Sequence, residues 1–131
     1  MSEFLGDTPT IRSMGVNGTS TIRKGEIVMI DAQGYARPGA LLATGTVRTR
    51  GVALADADNA AGADDAVGVR VQAGVHGPYA NNGTSISIAN CGAPCYVVDA
   101  NTVDLADGGA TRGLAGTIER VTSAGVFVFF A

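Results

Sequence analysis

The chain has 131 residues, room for one domain or a compact domain plus an arm, and its 46% hydrophobic and 16% charged residues exclude a disordered polypeptide. Aromatic residues make up only 5%, Trp is absent, and the 19 glycines are about twice the usual ~7% share. The core should therefore be Val, Ile, Leu and Ala, with Phe4, Phe127, Phe129, Phe130 and the three tyrosines as its bulky pieces. A formal net charge of −3 excludes the basic stripe with which a general nucleic-acid binder displaces counterions.

Residues 1–24 scatter Phe4, Leu5, Ile11, Met14 and Val16 among Gly, Ser, Thr, Asn and Pro, with neither a two-residue nor a helical period. They read as an extended N-terminal arm, followed by a β-rich domain over 25–131. Residues 26–31 form an apolar run ended by Gln33-Gly34, and 35–37 read as a returning strand. Residues 46–55 read as another strand with a bulge at Gly51, and the acidic stretch 56–65 as a polar loop with at most one helical turn. Residues 66–76 alternate most clearly, with Val67, Val69, Val71, Ala73 and Val75 on one face, until Gly77-Pro78 breaks the pattern. Further strands are predicted at 84–89, 94–99, 102–106, 115–122 and 125–130, with hairpins turning at 99–101 and 122–125. About eight short antiparallel strands cut by turns predict an all-β fold, a small β-barrel or β-sandwich.

The residues offer little chemistry. His76 is the single histidine, so neither a histidine-rich metal site nor a Ser-His-Asp triad has its parts. Cys91 and Cys95 are spaced C-x-x-x-C, which suits free thiols or a disulfide across a turn better than zinc or redox work. Counted from Asp56, the acidic loop has Ala60, Ala61 and Val67 at the fifth, sixth and twelfth positions, which fails the calcium-loop pattern. The Gly-rich stretch 107–113 lacks the phosphate-loop arrangement. The expectation is a protein without catalytic residues, cofactor or metal. No run approaches the ~20 apolar residues of a membrane helix, and the first residues do not form a secretion signal, so synthesis in the cytoplasm is expected. Residues 1–50 carry six basic and four acidic groups, and 51–131 three basic and eight acidic. This reads either as chance on a solvated surface or as a cationic attachment side opposite an acidic outward side.

Several segments, in order, resemble the phage capsid cement or head-decoration proteins. They are KGEIVMID (24–31), GVALADA (51–57), VGVRVQAGV (67–75), GAPCYVVD (92–99), AGTIERV (115–121) and GVFV (125–128). The resemblance covers about the last hundred residues and rests on the order and spacing of strand-and-turn patterns. It implies a virion protein on the capsid exterior that binds the major capsid protein, as a trimer at local three-fold positions, and stiffens the mature head. It implies no direct contact with nucleic acid or membrane. Under that reading the capsid-interface candidates are Phe4, Leu5, Ile11, Arg12, Met14 and Val16, with Arg23 and Lys24 as charged support. The competing reading is another virion module, such as a head fibre, tail-tube or tail-tip protein.

Overall fold

A computed structural model describes residues 10–131. In chain order its strands are β1 (Ile11–Gly15), β2 (Thr21–Ile22), β3 (Ile27–Asp31), β4 (Ala36–Pro38), β5 (Thr46–Ala53) and β6 (Ala57–Asp58). They continue with β7 (Gly68–Gln72), β8 (Gly74–Asn81), β9 (Pro94–Asp99), β10 (Thr102–Asp104), β11 (Leu114–Thr122) and β12 (Gly125–Phe130). The fold is all-β. An antiparallel five-stranded sheet has the order β1-β7-β5-β3-β4, a closed barrel runs β10-β8-β12-β11-β9, and β2 and β6 form a small ribbon. Within the barrel only the β10–β8 pair is parallel.

Two cores result, and β3 belongs to both. Its two-residue side-chain period sends Ile27 and Met29 into the barrel core with Val97, Val103, Ile118, Val126, Val128 and Phe130. Val28, between them, points the other way and packs with Val16, Ile22, Ala53, Val69 and Val71. A strand apolar on both faces is what a central strand between two packed layers requires, and the unbroken run Ile27-Val28-Met29 satisfies it.

The predicted strands at 26–31, 35–37, 46–55, 94–99, 102–106, 115–122 and 125–130 are present within a few residues, and so are both hairpins. The bulge expected at Gly51 is there as well. Val28 pairs with Gly51 but Met29 with Thr49, leaving Arg50 as the extra residue. Gly51 has φ +139°, and a Cβ on it would lie 2.6 Å from the Gln72 carbonyl oxygen.

Three expectations fail. The segment 66–76 is not one strand, because at Gly74 (φ +96°) the chain leaves the sheet as β7 and enters the barrel as β8. Val69, Val71 and Ala73 are buried as the alternation requires, whereas Val75 is 50% exposed on the barrel's outer face. Gly77-Pro78 does not end β8 either, since the strand continues to Asn81 and the ladder to β12 slips at that point, between Val126 and Val128. Residues 84–89 form no strand; two single 3₁₀ turns bury Ile86 and leave Ile88 75% exposed.

The arm boundary at residue 24 also moves. Residues 11–15 pair with β7 throughout, and Val16 and Ile22 are fully buried. A stretch without periodicity still joins the body, because β1 needs only backbone pairing and single buried side chains suffice at Val16 and Ile22. Finally, Phe130 is a core residue, but Phe129 is 44% exposed and Phe127 lies half-buried with the Arg120 guanidinium 4.3 Å from its ring centre.

Candidate attachment surface

The interface candidates do not gather in one place. Phe4 and Leu5 lie outside the described residues. Ile11 is 44% exposed on β1, an edge strand, and Arg12 reaches across to donate to the Arg50 carbonyl at 3.3 Å. Met14 packs half-buried on the smaller core. Val16 cannot face a partner, being buried in that core. Arg23 and Lys24 are exposed, but their backbone N–H groups donate to the carboxylates of Glu26 and Asp56, 2.8 Å in each case, which fixes them in the turn before β3.

The acidic segment 56–65, expected as a polar loop, contains β6 and clasps the segment 16–24. Asp64 accepts from Gly18 N–H at 2.7 Å, and Asp58 accepts from Thr21 Oγ1 at 3.2 Å. Asn59, buried at the centre, donates to the carbonyls of Val16 and Ala63. Acidic and basic residues are therefore mixed at this end, and a cationic side facing away from an acidic one does not form here. Among the described residues no three His, Cys, Asp or Glu side chains converge.

Two buried carboxylates serve the turns in the same manner. Asp31 accepts from Asn17 Nδ2 at 2.6 Å and from the N–H groups of Gln33 and Tyr35. Asp104 accepts from Asn82, Ser85 and the Arg112 guanidinium at 2.7–2.8 Å. Burial alone would raise both carboxyl groups, but the donors outweigh it and hold both below the ordinary carboxylate range. At Asp104 the depression is large. Burial also pushes the Cys95 thiol up to about 11, although the neighbouring Gly116 backbone opposes the shift. Both cysteines are free, Cys95 enclosed in the barrel and Cys91 exposed.

The concentrated apolar surface is elsewhere. Val75, Phe129, Thr117 and Pro94 stand opposite one another in neighbouring strands β8, β12, β11 and β9, and all four are exposed. This stripe borders a cleft of about 440 Å³ between β5 and the barrel. Leu114 (56% exposed) and Val47 (49% exposed) flank the cleft, with Arg48 and Arg50 on the β5 side. Sequence reasoning missed this surface because it placed all the phenylalanines in the core. The available signal was the alternation in β12: with Val126, Val128 and Phe130 inward, Phe129 has to point out.

No family model, curated protein or solved structure matches the chain.

Proposed function

We propose that the protein is a bacteriophage capsid decoration protein, binding the outside of the mature icosahedral head as a trimer and stabilising it. The observation that carries this reading is the gathering of exposed apolar side chains on one side of a small β body. Val47, Val75, Leu114 and Phe129 together make a surface suited to being covered by another protein. The ordered segments that resemble the cement proteins support it. A body tied together by paired strands and clasped loops suits a passive brace, and the reading assigns it no catalytic step. Trimeric attachment would turn three weak contacts into long residence.

The attachment side is then the stripe through Val75 and Phe129 rather than the scattered candidates of the first 24 residues. The test is co-sedimentation of the purified protein with expanded and unexpanded phage heads. Binding to expanded heads only, lost in Val75→Asp with the fold intact by circular dichroism, is the expected result. Failure to bind either form, or labelling of tails alone in negative-stain images, would overturn the assignment.

A further inference from the structure

The sheet and the barrel have the same plan. Taken from β1, the sheet runs β1-β7-β5-β3-β4, and the barrel, taken from β8, runs β8-β12-β11-β9-β10. The barrel closes through a parallel pair, Ala80 with Thr102 and Asn81 with Val103. The sheet is closed at the matching place by a single parallel bridge from Val16 to Ala36. The match holds residue by residue. Ile11, Gln72, Val52 and Ile27 lie in line across the first unit, as Val75, Phe129, Thr117 and Pro94 do across the second. A Cβ on Gly51 would strike the Gln72 carbonyl oxygen and the Val71 side chain, and one on Gly116 would strike the Phe129 carbonyl oxygen and the Val128 side chain. Each unit also carries Asn-Gly-Thr-Ser after its first strand, at 17–20 and 82–85. In both, the threonine has positive φ (Thr19 +70°, Thr84 +55°) and the Asn amide donates to a buried carboxylate, Asp31 or Asp104.

The closest match surrounds Ile27. Gly25 N–H donates to the Ala53 carbonyl and Ala53 N–H to the Glu26 carbonyl, at 2.9 and 3.0 Å. Gly92 N–H donates to the Ile118 carbonyl and Ile118 N–H to the Ala93 carbonyl, at 2.8 and 2.9 Å. Pro94 therefore stands where Ile27 stands. In the first unit that position binds the second unit: Ile27 is buried, and its N–H donates at 2.9 Å to the carbonyl of Ala100 in the β9–β10 turn. The counterpart of that turn in the first unit is uncovered. Asp31-Ala32-Gln33 and Asp99-Ala100-Asn101 each bond the third residue's N–H to the aspartate carboxylate, but Ala100 is buried and Ala32 is exposed. Each chain thus has one open turn, at 31–33, and one open stripe, on the second unit. Joining the turn of one copy to the stripe of another would string copies head to tail into a ring or a filament. Proline at position 94 has no N–H to meet the incoming carbonyl, which would be buried without a partner. We infer that the chain is a tandem duplication of one five-stranded unit, and that Pro94 stops the free stripe from taking the 31–33 turn of a second copy. Neither the duplication nor the block depends on what the protein decorates.

Pro94 is exposed at the first position of β9, so Pro94→Ala restores the N–H without disturbing a core. By sedimentation velocity over a concentration series, its self-association constant should exceed that of wild type by about tenfold or more. Pro94→Ile, which installs the first unit's own residue, should do the same. Ala32→Asp, placed in the turn, should return either variant to the wild-type profile. A chain carrying Pro94→Ala and Ala32→Asp together has a competent stripe and no competent turn. Mixed with wild type, each such chain should bind one wild-type chain and no more. Folded Pro94→Ala and Pro94→Ile proteins that sediment as wild type does, or association that survives Ala32→Asp, would overturn the block. Failure of both variants to fold, read by circular dichroism, would overturn the equivalence of positions 27 and 94 on which it stands. Self-association is measured without phage heads, so its outcome and that of the head-binding test are read separately.

Discussion

The barrel and the sheet are assembled from different kinds of contact. The barrel is built by β8 to β12, and two of its strand pairs, β9–β10 and β11–β12, are hairpins closed within a few residues. In the sheet, β1 pairs with β7 more than fifty positions later, and its small core depends on Val16, Ile22 and Ala57 arriving from separate segments. Local pairing makes the barrel nearly readable from turns, whereas the sheet closes only when distant pieces meet. Yet the two are coupled, because β3 gives Ile27 and Met29 to one core and Val28 to the other.

The most severe break falls on the edge strand of the sheet. Deleting residues 2–20 removes β1 and Val16 and should abolish cooperative folding. Deleting residues 2–9 should preserve a sigmoidal thermal transition by circular dichroism. If the longer deletion melts normally, the sheet does not need its edge strand.

Next come the two cores. Phe130→Ala should cost about 3–5 kcal/mol, by loss of the largest enclosed side chain of the barrel, and Val28→Ala about 2 kcal/mol on the sheet side. Because β3 is shared, each should shift one common denaturant transition. Two separated transitions in Val28→Ala would show that the sheet unfolds alone.

The Asp104 node gives a smaller effect with a pH signature. Asp104→Asn removes the charge partner of Arg112, whose Nε is buried without a hydrogen-bond partner among the described residues, and should cost about 2 kcal/mol at pH 7. A carboxyl depressed in the folded state contributes its stability above its unfolded pKa of ~3.9 and loses it as pH falls toward the folded value. Wild type should therefore lose stability below about pH 4, and Asp104→Asn should lose less over the same range. Equal acid sensitivity in the two proteins, measured by urea midpoints, would remove Asp104 from the account.

The mildest test leaves the fold untouched. A maleimide should label Cys91 at once and Cys95 only after denaturation, since Cys95 is enclosed and its thiolate disfavoured. Two labels under native conditions would mean that the barrel opens.

The exposed apolar surface was legible only in part. Alternation in β12 dictates that Phe129 faces outward. That Leu114, Val47 and the two arginines share one cleft with Phe129 follows from β5 lying against β11 and β12, which no local pattern encodes. The interface candidates between residues 11 and 24 are three apolar and three basic residues in an aperiodic stretch. Such a stretch gives no sign that Val16 pairs its backbone with Val67 and Asp65, or that its side chain fills a core.

Composition and period by themselves determined the all-β class, the hairpins at 99–101 and 122–125, and the bulge at Gly51, because turns and side-chain alternation are set by residues adjacent in the chain. Only the tertiary structure decided that the valine ladder 67–75 divides at Gly74 between two sheets, and that the acidic loop clasps residues 16–24. A ladder of alternating valines specifies which side chains share a face, and it does not specify which layer covers that face. That choice is made by where the rest of the chain packs.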